Sequence, residues 1–267
     1  MENLKLTSLM TKGEKKFYLG TFLILGEAKC GTTALYEFIN QHPRVIRSVR
    51  KENRLLRRVG ARLSGYADYS QIKHKDLVCI RNNYYNYLYP KNKRGGKDRF
   101  YLGEASGYMK DEWSIKILKT IVPDAKKIIL LRNPADRLYS WYWHSKKKGK
   151  VIRKDSVKKL NFEKELNRYL KINQNDYYAN IKMVSNHFDL NEILFIKSED
   201  LYSNVQGVMN NVFKHLGLKP IQVAGLKINP GMYTESLRPE TREFILDYFD
   251  DMIINLERLL DRRFEWE

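Results

Sequence analysis

The chain has 267 residues, of which 43% are hydrophobic, 12% aromatic and 30% charged, with a formal net charge of +18. That is enough apolar material for one large packed core and too little length for two, so a single domain over residues 1–267 is expected, with residues 1–18 as a flexible N-terminal segment. The excess of 49 Lys and Arg over 31 Asp and Glu asks for an anionic partner, while two cysteines exclude a disulfide framework, and no stretch nears the about 18 to 20 apolar residues that cross a bilayer.

Lys5, Lys12, Lys15 and Lys16 break up any apolar run at the start, which therefore does not resemble a signal peptide. With Cys30 and Cys79 alone, this reads as a cytoplasmic protein in a reducing compartment. Residues 22–25 form the first short apolar run, of strand length. Directly behind it stands Gly26-Glu-Ala-Lys-Cys-Gly-Thr-Thr33. Gly26, Gly31 and Thr33 fall on the two glycines and the hydroxyl of a Walker loop, G-x-x-x-x-G-K-[ST], but Thr32 occupies the lysine position and Lys29 comes early. With residues 34–39 continuing as a helix, backbone N–H groups and a positive dipole end converge on one anion. The loop holds phosphates yet lacks the lysine that reaches the end of a nucleoside triphosphate, which disfavours an ATP or GTP hydrolase.

Residues 47–103 are less regular and rich in Tyr and Asn, with a strand-length apolar run at 77–80; Cys79 reads as core. Residues 114–122 carry Ile115, Leu118 and Ile121 at helical spacing before Pro123. Residues 127–131 form another apolar run, closed by Arg132-Asn-Pro-Ala-Asp-Arg-Leu-Tyr-Ser140. Asn133 looks like an N-cap, Pro134 like a first helical residue, and Asp136 like the closing member of a capping box. Arg132 then leaves a strand end towards the cleft of Lys29, and a guanidinium with Ser140 nearby suits a phosphate monoester. The lysine run at 146–159 reads as an exposed loop. Residues 193–197 form a further strand, and Pro239 opens a helix whose positions Ile245, Phe249, Met252, Leu256 and Leu260 keep one face. Strands alternating with helices predict an α/β domain with a central parallel β-sheet flanked by helices.

Basic residues also gather at 47–62 and 91–99, which fits a nucleic-acid patch, a membrane-facing surface or a funnel for an anionic small molecule. No RRM, helix-turn-helix or zinc-finger signature accompanies them, so neither nucleic acid nor stable membrane insertion is expected.

Residues 26–33 resemble the 5′-phosphosulfate loop of sulfotransferases that use 3′-phosphoadenosine 5′-phosphosulfate (PAPS), and residues 132–140 resemble their 3′-phosphate motif. The resemblance continues through Gln41-His-Pro43, Lys51-Glu52, Gly103-Glu-Ala-Ser106, residues 197–201 and Pro239-Glu-Thr-Arg242 to Trp266, and is nearest to the heparan-sulfate-type and bacterial branch. It implies the P-loop NTPase-like sulfotransferase fold and transfer of a sulfuryl group from PAPS to a hydroxyl or amine of a small-molecule or saccharide acceptor, releasing PAP, with no metal required. In this reading Lys29 binds the bridging and sulfuryl oxygens, and Cys30, Gly31, Thr32, Thr33 and Ala34 line the 5′-phosphate site. Arg132 and Ser140 hold the 3′-phosphate. Glu52 is the general base, with Glu104 and His144 in reserve, although Asn53-Arg54-Leu55-Leu56 departs from the histidine and aromatics that relatives often place there. Lys227 and Tyr233 match the loop that closes over the 3′-phosphate, and Glu52, Glu104 and Tyr178 face the acceptor. Two other readings compete: a P-loop small-molecule kinase, needing Mg²⁺ and ATP, and a basic nucleic-acid- or membrane-surface-binding protein.

Overall fold

The computed structural model describes residues 20–49, 51–52, 72, 76, 79–80, 83, 101–147, 161–171, 176–225 and 236–267. Its centre is a parallel sheet of β1 (Gly20–Gly26), β2 (Val45–Ile46), β3 (Tyr101–Ala105), β4 (Lys126–Leu131) and β5 (Ile193–Lys197), in the order β2-β3-β1-β4-β5. Phe22 to Leu25 and Ile128 to Leu131 are at most 1% exposed, as expected of central parallel strands covered on both faces. From β1 the chain first builds strands on one side, then crosses to the other. The carboxyl ends of β1 and β4 therefore border the switch-point crevice where such sheets bind ligands.

The helices are α1 (Thr32–Ile39), α2 (Glu112–Ile121), α3 (Pro134–Lys147), α4 (Phe162–Leu170), α5 (Tyr177–Ser185), α6 (Ser198–Ser203), α7 (Val205–His215), α8 (Pro239–Tyr248) and α9 (Asp250–Leu260). One core surrounds the sheet. A second, largely aromatic cluster joins Leu138, Tyr139 and Tyr142 of α3 to Phe162, Leu166 and Tyr169 of α4 and Ile245 of α8.

Three elements differ from the sequence reading. Residues 239–260 are not one helix: α8 ends at Tyr248 and α9 begins at Asp250, because Ile245 and Phe249 pack in the second cluster whereas Leu256 packs in the main core. A break at Phe249 lets each half face its own cluster, and Asp250 and Asp251 suit the positive start of the new helix. The second difference is β3, hidden in the sequence by Gly103 and Glu104. Gly103 stands opposite Phe22 in the sheet, and a Cβ there would lie within 2.5 Å of the Phe22 ring, so the glycine makes room for a core aromatic. Third, Cys79 and Ile80, read as strand, are helical, and Cys79 is exposed rather than core. A short apolar run does not distinguish the two periods. Of the lysine run read as a loop, Lys146 and Lys147 still belong to α3.

The end of α1 is clamped to residues 219–224 by Gln41 and His42. Gln41 exchanges two hydrogen bonds with the Ala224 backbone, His42 Nε2 donates to the Lys219 carbonyl at 3.1 Å, and His42 Nδ1 accepts from the Arg44 N–H at 3.1 Å. That pair of roles requires the neutral ring. Burial holds His42 below its ordinary value of 6.5, and burial does the same to His215, which meets the Lys127 carbonyl. Both rings therefore take up protons more readily in the unfolded chain, so their stabilising contribution is present above pH 6.5 and is lost as pH falls below it. We expect the melting temperature to drop between pH 7.5 and 5.5 and the drop to shrink in His42→Gln. A flat profile in the wild type would refute this account.

Candidate functional site

Residues 26–33, the expected phosphate loop, fill the turn between β1 and α1. Gly31 (φ 87°) and Lys29 (φ 70°) both adopt left-handed backbone, which costs a non-glycine residue about 1–2 kcal/mol. No side chain of Gly31 caps α1, so the amides of the helix's first turn are presented to an anion.

Buried groups hold this loop from below. The Glu27 N–H donates to the Leu130 carbonyl of β4 at 2.9 Å, and Ser198 Oγ, at the start of α6, donates to the Cys30 carbonyl at 2.6 Å. Arg137 of α3 reaches under the turn. Its Nε donates to the Ala28 carbonyl at 3.0 Å, its Nη2 pairs with Glu27 Oε2 at 2.8 Å, and its guanidinium lies 4.9 Å over the Tyr177 ring. Asn180 of α5 donates to the other Glu27 oxygen at 3.0 Å. Burial pushes the Cys30 thiol up to about 11, with Arg137 opposing and Glu27 adding, so Cys30 is a packed filler and not a thiolate nucleophile.

Arg132 follows β4 into the same crevice. Its Nη1 donates to the Lys29 carbonyl at 3.4 Å, and its own carbonyl accepts from the Tyr177 hydroxyl at 2.8 Å. Asn133 caps α3 as expected, its Oδ1 accepting from the Ala135 and Asp136 N–H groups at 2.9 and 3.4 Å. The capping box, however, does not close through Asp136. The Asn133 N–H donates to Glu199 Oε1 at 2.9 Å, while Asp136 pairs with Arg242 at 2.6 Å. Tertiary partners from α6 and α8 have displaced the local one. Ser140 and His144 are half-buried on α3, one and two turns beyond Arg137.

On the β3 side, the Ala105 N–H donates to the Lys51 carbonyl at 2.9 Å, fixing the Lys51-Glu52 pair at the carboxyl end of the sheet. Lys51 Nζ donates to Thr33 Oγ1 at 2.6 Å and lies 3.7 Å from Glu52 Oε1. Glu104 is fully buried, accepting from Ser106 Oγ at 2.9 Å and from the Tyr108 hydroxyl at 3.0 Å. Those bonds make it an anchor beneath the site rather than an accessible base. Among the described residues, no group of three or more His, Cys, Asp or Glu side chains is placed to hold a metal ion, and no helix is long and apolar enough to cross a membrane.

This arrangement of phosphate loop, strand-end arginine and parallel sheet coincides with a family match: the sulfotransferase-domain model fits residues 19–246. The chain belongs to the sulfotransferase family. Among curated proteins it resembles the bifunctional heparan sulfate N-deacetylase/N-sulfotransferase 4 of Mus musculus, 30% identical over 129 residues, and N-deacetylase/N-sulfotransferase 1 of Xenopus laevis, 32% identical over 124 residues. These matches cover 48% and 46% of this chain but only 13% of either relative. Among solved structures, a sulfotransferase from Alicyclobacillus acidocaldarius superposes with a TM-score of 0.66 at 21% identity, covering 91% of this chain and 96% of the other. Mouse sulfotransferase SULT7A1, complexed with PAP, gives 0.50 at 15% identity over 91% and 87%. At such identities the structures speak for the fold.

In this sulfotransferase the side chain of Arg132 meets the loop at the Lys29 carbonyl. Tyr178 instead packs against the core, and its neighbour Tyr177 is the tyrosine that touches Arg132 and lies against Cys30. Lys227 and Tyr233 lie outside the described residues. Sequence reasoning assigned no role to Lys51, Arg137, Asn180 or Ser198. Lys51 alone carried a local signal, as half of a Lys-Glu pair; the other three act on the loop from distant segments.

Proposed function

We propose that this sulfotransferase moves a sulfuryl group from PAPS to a hydroxyl or amine of a small-molecule or saccharide acceptor and releases PAP, without a metal and in the cytoplasm. The observation that carries this reading is the 3.4 Å contact between the Arg132 guanidinium and the Lys29 carbonyl. It sets the guanidinium after β4 beside the loop after β1, which supports assigning the loop to the 5′ end and Arg132 to the 3′ end of one bisphosphorylated nucleotide. The donor set fits such a ligand: an ammonium, a guanidinium and the amides of a helix start are all anion donors.

In the reaction the acceptor oxygen or nitrogen forms a bond to sulfur as the bond from sulfur to the 5′-phosphate oxygen breaks. That electron pair leaves on PAP, where Lys29 stabilises the growing charge, and the acceptor proton passes to Glu52. In-line positioning and charge neutralisation are what such transfers ask of a protein. Glu52 is half-exposed beside Lys51, which suits a base that must meet an incoming acceptor. The curated relatives carry N-sulfotransferase in their names, which puts a saccharide amine first among acceptors to try. Two unpaired thiols, Cys30 and Cys79, agree with a reducing compartment. A kinase reading is weaker because Thr32 stands where the Walker lysine would be.

The test is a thermal-shift comparison of PAP, ADP and ATP in wild type and Arg132→Ala. PAP should stabilise most, without Mg²⁺, by about 2.7 kcal/mol at a hundredfold excess over Kd. Arg132→Ala should lose the preference for PAP over ADP. Equal shifts from all three nucleotides would overturn the assignment.

A further inference from the structure

After α9 the chain turns at Asp261 (φ 46°) and again at Glu265 (φ 50°), two left-handed positions that residues other than glycine seldom adopt. Between the turns it is fastened twice. Arg262 Nη1 donates to the Phe195 carbonyl of β5 at 3.1 Å, and the Phe264 N–H donates to Glu257 Oε1 at 2.7 Å. Phe264, 1% exposed, anchors the stretch in the main core. The half-buried Trp266 stacks on Phe264 with 4.4 Å between ring centres and lies 5.9 Å from the Tyr177 ring. The Glu267 carbonyl then accepts from Asn133 Nδ2 at 2.9 Å and from Arg242 Nη1 at 3.1 Å.

Tyr177, Asn133 and Arg242 all act on residues 132–136. Tyr177 donates to the Arg132 carbonyl, Asn133 caps α3, and Arg242 pairs with Asp136. Glu199 takes the Asn133 N–H, so the peptide between Arg132 and Asn133 is gripped on both sides by side chains from α5 and α6. The Arg132 guanidinium has a contact of its own to the Lys29 carbonyl, but 3.4 Å is near the outer limit of a hydrogen bond and orients it weakly. Its direction depends on the backbone beneath it. The core anchor is complete at Phe264. Stability does not ask for a further turn through a left-handed glutamate, nor for an indole whose buried Nε1 has no hydrogen-bond partner among the described residues.

We propose that residues 261–267 form a strap that aims Arg132 at the 3′-phosphate, with Trp266 as its positioning residue. Through Tyr177 and Asn133 the strap fixes the peptide that carries the arginine, so the guanidinium is directed before the nucleotide arrives and loses less freedom on binding it. The strap thereby acts on selectivity: it favours a nucleotide with a 3′-phosphate and is indifferent to one without. It lies beyond residues 19–246, the stretch that the sulfotransferase-domain model fits. The inference rests on the assignment of Arg132 to the 3′-phosphate of PAPS.

Calorimetric titration with PAP and with AMP, which lacks only the 3′-phosphate, reads the contribution of that phosphate as the ratio of the two dissociation constants. Trp266→Leu keeps apolar bulk but not the ring. It should lower the ratio about tenfold while AMP affinity stays within about twofold, the mark of a weakened charge-assisted contact. Trp266→Phe keeps a ring against Phe264 and Tyr177 and sheds the unpartnered N–H, so it should restore the ratio. Asn133→Ser approaches the strap from its other end: a serine still caps α3 but lacks the amide that donates to Glu267, and the ratio should fall again. This second variant carries the test if Trp266→Leu does not fold. Equal losses for PAP and AMP would make the strap structural only and overturn the proposal, as would a ratio unchanged in the variants. If the wild type binds PAP no more tightly than AMP, the assignment of Arg132 fails first and the strap's role goes with it.

Discussion

Lys29→Ala should lower kcat about a thousandfold while PAP binding stays within about tenfold. The asymmetry follows from where charge develops. In the proposed site the nucleotide is held in the ground state by the amides of α1 and by Arg132, and that set survives the substitution. As the bond from sulfur to the leaving phosphate stretches, negative charge grows on oxygens that Lys29 alone is proposed to meet from within the turn. Removing one such preorganised donor costs about 10²–10³ in rate elsewhere, and a full ammonium belongs at the upper end. The left-handed backbone at Lys29 (φ 70°) is as costly for lysine as for alanine, so the loop keeps its shape. Single-turnover kinetics with PAPS should show kcat and kcat/KM falling together, the mark of an interaction made only in the transition state. Glu52→Gln in the same assay should slow turnover strongly with PAP affinity intact. A Lys29→Ala rate within tenfold of wild type would remove the lysine from the chemistry.

How much of this was legible in the sequence depended on distance along the chain. β1, β4 and β5 announce themselves as continuous apolar runs, and Gly26, Gly31 and Thr33 signal the loop because a turn is a local affair. Asn133 and Pro134 are local too, and they open α3 as the sequence suggests. What the pattern hid is made by partners that meet only after folding. Glu27 and Arg137 are 110 residues apart, Cys30 and Ser198 are 168 apart, and neither pair leaves a periodic trace. Tyr177 and Tyr178 are neighbours, yet one helical step of about 100° turns one into the loop and the other onto the core surface. The break at Phe249 was invisible for a related reason: the apolar face is continuous in period, and only the existence of two separate clusters splits it.

The ion pair beneath the loop leads to the largest expected change in stability. Glu27 is 1% exposed and sits inside the turn proposed to receive the anion, where a bare carboxylate would repel such a ligand and suffer the cost of lost water. Arg137, 2% exposed, neutralises it, and Asn180 satisfies its other oxygen. Arg137→Met should therefore destabilise the fold by about 3–5 kcal/mol, the cost of stranding one partner of a buried pair. Arg137→Met with Glu27→Gln should recover much of that loss, because the stranded charge is gone and the glutamine carbonyl can still accept from Asn180. Urea unfolding of the two single variants and the double variant measures the coupling directly. PAP affinity should follow the same order, poorest in Arg137→Met, where the loop carries an unopposed negative charge, and better in the double variant. If the double variant is instead less stable than Arg137→Met, the pair is not what holds the turn, and the loop's shape must come from the bonds that Ser198 and Leu130 make to it.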